Sequence, residues 1–261
     1  MSIDIVFVMV GTTHTGNLGA SARAMKTMGF TTLRLVDTCS HLSEEALARS
    51  SGANDVLRQA QKFPSLKEAI ADCQIVIGTS ARARQLSAPL RSCREIADEL
   101  STVAHQANPH QKAAMVFGQE RSGLSNESLD LCTRLLRIPC NPEFSSLNLG
   151  SAVQVVAYEL SQAIASVPQG RPAPMPGKWK GTDDESQTTM DPDELPATSE
   201  AMEHFFEHLD RVMVNTGFLD PQNPRMLRRK VRHYFESNRP TANQLSLFRG
   251  ILTATEQPRK R

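Results

Sequence analysis

The stretch NPEFSSLNLGSAVQVVAYEL, residues 141–160, joins a polar turn directly to an apolar helix. Apolar residues recur along it at helical spacing and predict an amphipathic helix over residues 147–165. Ser145, Ser146 and Asn148 surround the start of that helix, although a single cap needs only one polar side chain. Because free backbone N–H groups at a helix start favour electron-rich partners, we interpret this turn as part of a binding site.

Upstream of this helix, short β-branched runs alternate with helical patterns, which predicts an α/β domain with a mainly parallel sheet over residues 1–167. Ligands of such domains bind beyond the carboxyl ends of the strands. The pattern Ser65-Leu-Lys-Glu68 is a capping box that marks one helix start. The predicted strands are Ile3–Val10, Leu33–Val36, Gln74–Gly78, Ala113–Phe117 and Leu135–Ile138. The predicted helices are Leu18–Met28, Ser65–Ala71, Cys93–His105, Ser125–Leu131 and Leu147–Ala165.

The composition changes after residue 167. Residues 168–198 contain a proline-rich half and an acidic half, neither of which can bury enough apolar surface to fold, so they are predicted to be a linker. Helical periodicity returns over residues 199–261 and predicts a small three-helix module. Residues 211–261 hold eleven Lys and Arg against three acids, a charge suited to a polyanion. The exposed side of the module is predicted to show Arg225, Arg228, Arg229, Arg232 and Arg239.

The overall composition favours a cytoplasmic protein with no membrane span. The 261 residues contain no run of about 18 apolar residues, and the N-terminus lacks the features of a signal peptide. Five scattered cysteines without a C-x-x-C pair argue against a disulfide framework and a zinc knuckle. His204, Glu207 and His208 match the H-x-x-E-H spacing of zinc peptidases, but we interpret them as residues of a packing helix and predict no metal.

The turn VGTTHTGNLGASARAM, residues 10–25, follows the first predicted strand. Two of its glycines have the spacing of a Walker phosphate loop. Asn17 and Leu18, however, occupy the positions where that loop needs Lys and Ser or Thr, so the phosphate-loop interpretation is disfavoured. A helix beginning near Leu18 places Arg23 about one and a half turns in, where it could face a phosphate or a sugar.

The second turn with residues suited to binding or catalysis is VFGQERSGLS, residues 116–125. Gly118 ends a strand, where the missing Cβ lets a ligand lie against the backbone, and Gly123 permits the turn into the next helix. Glu120 and Arg121 lie between the two glycines. Taken alone, the stretch fits equally well an ordinary strand-end turn with a surface ion pair.

Together these stretches resemble the SPOUT class of S-adenosylmethionine-dependent RNA methyltransferases, and most closely its TrmJ branch. The likeness covers nearly the whole chain. It is carried by N-x-G-x-x-x-R at Asn17–Arg23, GTSARAR at 78–84, FGQERSGLS at 117–125, IPCNPEFSSLNLGSAVQ at 138–154, GFLDPQNPRMLRRKVRHYF at 217–235 and LSLFRGIL at 245–252. It implies an α/β SPOUT-type domain with a parallel sheet and a C-terminal trefoil knot, followed by the linker and the small all-helical domain.

The resemblance also implies the site and the activity. The protein would be a homodimer that binds S-adenosylmethionine in the knot and methylates the ribose 2′-OH of nucleotide 32 in the tRNA anticodon loop. Arg23 would be catalytic, together with Asn17 and Ser146, and would reach a ribose held over the partner protomer's cofactor. The cofactor pocket would be lined by Thr79, Ser80, Ala81, Gly118, Ile138, Ser145, Ser146 and Leu147.

Methyl transfer from a sulfonium to an oxygen is an in-line displacement, so the protein mainly has to align two atoms, and no metal is required. Since arginine stays protonated, we interpret Arg23 as an electrostatic aid to the developing alkoxide and a clamp on the adjacent phosphate, with the proton lost to phosphate or water. RNA contacts are expected from Arg82, Arg84, Arg91, Arg94, Arg228, Arg229 and Arg232.

Two alternatives remain open from the sequence. One is a ribosomal RNA ribose methyltransferase on the same fold, although a basic C-terminal module favours tRNA. The other is a catalytically silent RNA-binding protein, against which the intact Arg23 and the complete pocket stretches argue.

Overall fold

A computed structural model describes residues 3–80, 90–105, 111–141, 143, 147–165, 195–224, 226–238 and 240–256. The strands are β1 (Ile3–Val10), β2 (Leu33–Val36), β3 (Gln61–Phe63), β4 (Ile75–Thr79), β5 (Leu90–Ser92), β6 (Gln111–Phe117) and β7 (Arg134–Arg137). The helices are α1 (Thr15–Thr27), α2 (Glu44–Ser50), α3 (Asn54–Arg58), α4 (Leu66–Ala69), α5 (Cys93–His105), α6 (Asn126–Asp130), α7 (Leu149–Ala165), α8 (Ser199–Asn215), α9 (Leu227–Asn238) and α10 (Ala242–Glu256). None of the described helices is long and apolar enough to cross a bilayer.

The strands form one parallel sheet in the order β3-β2-β1-β6-β4-β7-β5, which confirms the predicted α/β class. The central pair, β1 and β6, runs in register from Ile3 opposite Gln111 to Met9 opposite Phe117. Both strands are buried along nearly their whole length, as expected for a parallel sheet covered on two faces.

Successive residues of β1 point to opposite faces and divide the core into two layers. Phe7 belongs to the larger layer, in which the sheet packs against α1, α5 and α7, represented by Met25 and Val153. Val8 belongs to the smaller layer, beneath α4 and α6. The sheet is therefore held from both sides, which fixes the positions of its strand ends.

Four short elements were not predicted, namely α2, α3, β3 and β5. They are three to seven residues long and, unlike the equally short α4, none begins with a capping box that would mark it in the sequence. Helix α1 begins at Thr15, earlier than predicted, because its first turn carries no apolar side chain that would show the period. The predicted capping box is confirmed, since Ser65 Oγ accepts from the Glu68 backbone N–H at 3.3 Å.

Strand β7 lies between β4 and β5, two strands that precede it in the chain. This insertion of a late strand between earlier ones is compatible with a knotted C-terminal segment. The knot itself stays a prediction, because residues 81–89 and 144–146 are among those outside the described ranges.

The helices α8–α10 pack around an aromatic cluster. Phe205 is fully buried and meets Phe235 at 4.7 Å between ring centroids. This unit contacts the α/β domain directly, because the backbone N–H of Ser199 donates to the Cys73 carbonyl at 2.8 Å and that of Glu200 donates to the Ala71 carbonyl at 3.1 Å. The predicted domain boundaries stay predictions.

Candidate active site

A cavity of about 280 Å³ opens at the carboxyl ends of β4, β6 and β7, where a parallel sheet is expected to bind its ligand. Phe117, Leu136 and Ile138 give it an apolar wall at the strand ends. The loop of residues 118–124, which we call the β6 loop, and the first turn of α7 complete the described wall.

Five of the residues predicted for the cofactor pocket line this cavity. They are Thr79, Ser80, Gly118, Ile138 and Leu147. The other predicted residues, Ala81, Ser145 and Ser146, lie outside the described part of the chain. The Thr79 hydroxyl donates to the Val116 carbonyl at 3.0 Å, and the Ser80 backbone N–H donates to Leu136 at 2.9 Å. These two bonds hold the end of β4 against both neighbouring strands.

Gly118 lines the cavity, but our reason for its lack of a side chain was wrong. A Cβ at this position would lie 2.2 Å from the Gly123 carbonyl carbon and 2.3 Å from the Leu124 nitrogen. The β6 loop's own backbone therefore occupies the space that we had assigned to a ligand. Gly123 has a φ of +69°, which confirms its predicted role in turning the chain.

The Glu120 carboxylate does not form the surface ion pair that the sequence left open. It reaches instead to the start of α1, where Oε1 accepts from the Asn17 side-chain amide at 2.8 Å and from the His14 backbone N–H at 3.2 Å. Its other oxygen, Oε2, accepts from the backbone N–H and the hydroxyl of Thr13 at 3.2 and 3.1 Å. Glu120 thus caps α1 from the neighbouring strand's loop.

This pairing keeps Glu120 ionised. Burial raises the pKa of Glu120, but the hydrogen bonds from the Asn17 amide and from nearby backbone N–H groups outweigh it and lower the pKa to about 2. A carboxylate with both oxygens occupied and so low a pKa is a poor proton acceptor. We therefore regard Glu120 as a positioning group.

Asn148 extends the same network to α7. Its amide nitrogen donates to Asn17 Oδ1 at 3.0 Å, while its own Oδ1 accepts from the Gly150 backbone N–H at 2.9 Å. One side chain thus caps α7 and fastens it to α1. The network Asn148–Asn17–Glu120 joins three segments that come together only in the fold.

Arg23 lies exposed on α1, eight residues after the helix begins at Thr15. The described residues that line the cavity do not include it. Among the described residues Arg23 also has no carboxylate within 4 Å, so its guanidinium is free to meet another molecule.

Comparison with known proteins identifies the family. The model of the SpoU rRNA Methylase family matches residues 4–158. The chain is 40% identical over 258 residues to a tRNA (cytidine/uridine-2'-O-)-methyltransferase TrmJ of Klebsiella pneumoniae, covering 98% of each chain. The chain belongs to the TrmJ branch of the SpoU methylase family. Residues 200–261 match the TrmJ C-terminal domain.

Two solved structures are similar to this chain over nearly its full length. TrmJ from Z. mobilis ZM4 superposes with a TM-score of 0.74 at 30% identity, covering 97% of this chain and 99% of that one. A probable methylase family protein from Haemophilus influenzae superposes with a TM-score of 0.60 at 36% identity, covering 98% and 97%.

Three of the arginines predicted for the basic face of the TrmJ C-terminal domain, Arg228, Arg229 and Arg232, are paired with carboxylates, and the other two, Arg225 and Arg239, lie outside the described residues. Arg228 binds Asp210 at 2.6 Å, and Arg229 binds Asp130 of α6 at 3.1 Å. Arg82 and Arg84 lie outside the described residues, whereas Arg91 and Arg94 bind Glu99 at 2.7 Å and Glu159 at 3.1 Å.

The predicted exposure of Arg232 was wrong. Its side chain is only 25% exposed, forms ion pairs with Glu203 and Glu236, and lies 4.4 Å above the Phe206 ring. The helical period placed it on the basic side of α9, but two acids of the same unit turn it inward. Arg232 is therefore a structural residue.

The residues of the H-x-x-E-H pattern bind different partners and do not converge on one point. His208 is buried and its Nε2 lies 3.2 Å from Glu256, whereas Glu207 binds Lys67 at 3.0 Å. Within the described ranges, no three His, Cys, Asp or Glu side chains are grouped as a metal site would require.

Our sequence analysis gave Glu120 no role, and it placed Asn148 in the binding turn without linking it to α1. Both residues lie in the motifs that carry the family resemblance. The sequence therefore contained a clue to their role, namely a charged or amide side chain beside a predicted pocket. Their partner Asn17 is 103 residues from Glu120 and 131 from Asn148. The adjacency of β1 and β6 brings Asn17 near Glu120, and the packing of α7 against α1 brings Asn148 near Asn17.

Proposed function

We propose that this chain is a tRNA 2′-O-ribose methyltransferase that transfers the methyl group of S-adenosylmethionine to nucleotide 32 of the anticodon loop. We further propose that it works as a cytoplasmic homodimer. The observation that carries the proposal is the Asn148–Asn17–Glu120 network, which fixes the helix bearing Arg23 against the wall of the cavity. The substrate follows the printed names of relatives about 40% identical over nearly the whole chain.

The cavity suits S-adenosylmethionine in its chemistry. Phe117, Leu136 and Ile138 offer an apolar wall for an adenine ring, while Thr79 and Ser80 place polar backbone at the strand ends. The described wall carries one acid, Glu120, whose oxygens are directed to α1. When bound there, S-adenosylmethionine would supply an activated methyl group.

Arg23 supplies the electrostatic part of the reaction. The guanidinium of Arg23 would stabilise the negative charge that develops on the 2′-oxygen while the hydroxyl proton passes to phosphate or water. Arg23 does not line the cavity of its own chain, so we assign it to the cavity of a second copy. A dimer would then be needed to complete each site.

The network residues have a positioning role and take no part in the chemical step. They are Glu120, Asn17 and Asn148. They hold the first turn of α1 so that Arg23 keeps its distance from the reacting oxygen, and displacements of about 1 Å can cost about a hundredfold in rate. Asn17, predicted to be catalytic, is occupied at both ends of its amide and belongs with this positioning set.

The match of residues 200–261 to the TrmJ C-terminal domain favours tRNA over ribosomal RNA. The decisive experiment maps ribose-methylated nucleotides by mass spectrometry in tRNA and ribosomal RNA from cells with and without the protein. Loss of the 2′-O-methyl group at nucleotide 32 alone supports the proposal, and loss only in ribosomal RNA overturns it. Calorimetry with S-adenosylmethionine separates an enzyme from a silent RNA-binding protein, which would show no binding.

A further inference from the structure

Most of the described arginines of the helical unit form ion pairs within the protein. Four of its arginines contact carboxylates, and three of these acids belong to the unit itself. These contacts are Arg211 with Glu256 at 3.0 Å, Arg228 with Asp210 at 2.6 Å, Arg229 with Asp130 at 3.1 Å, and Arg232 with Glu203. The excess of basic residues in the sequence therefore does not by itself locate an RNA surface.

Two basic residues of α9 and α10 remain available. Lys230 and Arg249 are exposed, and neither has a carboxylate within 4 Å among the described residues. Lys230 lies on the side of α9 opposite Phe235, which packs into the unit's core. On α9, Lys230 thus lies on the side away from Arg228 and Arg232 and their ion pairs.

Tyr234 stands one helical turn after Lys230, so the two side chains share a face. The tyrosine is 65% exposed. Its ring meets Phe235 at 5.5 Å between centroids and at 88°, and Phe235 is in turn held against Phe205 at 4.7 Å. An exposed ring braced by a packed core keeps its orientation, which a stacking surface requires.

The rest of this face is polar and free of acids. His233, Ser237 and Asn238 complete it, and we call the set of Lys230, His233, Tyr234, Ser237 and Asn238 the outer face of α9. An aromatic ring beside the free cation Lys230, on a face without carboxylates, complements a nucleotide, which offers a flat base and an anionic phosphate.

The next helix, α10, bears exposed apolar residues, including Leu247 and Ile251. These could suit a protein partner, but they lack the cations and the aromatic ring of the outer face. The charge pattern therefore favours RNA at the outer face of α9, and a second copy of the chain becomes an outcome of the test.

We propose that the Tyr234 ring stacks on an unpaired base of tRNA while Lys230 binds an adjacent phosphate. This inference rests on the proposed function and names the RNA-contacting face within it. It adds the outer face of α9 to the expected RNA contacts, on the side opposite Arg228 and Arg232, whose guanidinium groups are paired with carboxylates.

The test uses the full-length protein and an unmodified tRNA transcript. Tyr234→Ala should raise the Kd for the transcript roughly tenfold, which is the effect expected from the loss of one stacked base. Tyr234→Phe keeps the aromatic ring and should retain wild-type affinity. Lys230→Gln should reduce the slope of log K against log salt concentration by about one.

Phe218 provides the matched control. It is 68% exposed, as open as Tyr234, but Asp220 follows two residues later, so Phe218→Ala should leave the Kd for tRNA unchanged. Equal S-adenosylmethionine affinity, measured by calorimetry, should show that the α/β domain is folded in all variants, and equal far-UV circular dichroism should show the same for the helical unit.

The failures can be told apart. Equal Kd values for wild type and Tyr234→Ala overturn this inference and leave the proposed function standing. A change in oligomeric mass by light scattering in Tyr234→Ala would mark the face as a protein interface and overturn the inference as well. A wild-type protein that binds no tRNA overturns both the inference and the proposed function.

Discussion

The Asn17 side-chain amide donates a hydrogen bond to Glu120 Oε1 at 2.8 Å, and this contact joins the start of α1 to the β6 loop. The opposite end of the same amide accepts from Asn148 at the start of α7. Asn17 therefore links the helix that carries Arg23 to two segments beside the cavity.

We expect Asn17→Ala to lower the rate of methyl transfer about 10- to 100-fold, because α1 loses both of its side-chain links to the cavity wall. Asn17 is not among the residues that line the cavity, so the S-adenosylmethionine Kd should stay within about twofold. Single-turnover kinetics and calorimetry measure the two effects. An unchanged rate would show that the network has no positioning role.

The trans assignment of Arg23 predicts complementation between two inactive variants. Arg23→Ala removes the guanidinium, and Ile138→Trp fills the cavity. Each homodimer should be inactive, whereas a random mixture should regain about a quarter of wild-type activity, since half of the dimers are mixed and each holds one intact site.

The control for this experiment is the homodimer of a double variant, in which every chain carries both Arg23→Ala and Ile138→Trp. If Arg23 acts in its own chain's cavity, every mixed dimer contains two defective sites. The mixture would then stay as inactive as the double variant.

Sequence analysis predicted the parts of this protein that are long or periodic. Strands β1 and β2 match their predicted bounds because they are mostly apolar, with Asp4 and Arg34 as the only charged residues in them, and nearly all of their residues are buried. The pocket residues that line the cavity came from motif resemblance. The role of Glu120 was not accessible, because its partners belong to α1 and are brought near only by the strand order. Arg232 was misplaced because helical periodicity shows which residues share a face but not which acids of another helix they meet.

The reassignment of Arg232 gives a stability prediction. Arg232→Ala leaves Glu203 and Glu236 half-buried without their cation and should lower the free energy of unfolding by about 2–3 kcal/mol. Arg228→Ala removes a more exposed pair and should cost less than about 1 kcal/mol. Urea titrations of both variants measure the difference. Equal losses would contradict the structural role of Arg232.

Gly118 gives a prediction about the β6 loop. A Cβ at Gly118 would overlap the backbone of Gly123 and Leu124, so Gly118→Ala must push the loop outward. We expect S-adenosylmethionine to bind at least about tenfold more weakly in this variant. Gly123→Ala serves as the comparison, because nothing lies within 4 Å of its added Cβ and only the positive φ opposes it. Its cost should be limited to about 1 kcal/mol of stability.

Glu236 gives a prediction about pH. Burial raises the pKa of Glu236 to about 7, although Arg232 opposes the shift. Since the folded state then holds a proton that the unfolded state has released, stability should fall as pH rises from about 4.5 to 7 and level off above that. The fall should amount to about 1–3 kcal/mol. Glu236→Gln, which cannot ionise, should lack this component and be more stable than wild type at pH 8, a pH chosen on the plateau. Urea unfolding at pH 5 and pH 8 measures both proteins, and parallel losses in wild type and variant would exclude Glu236 as the source.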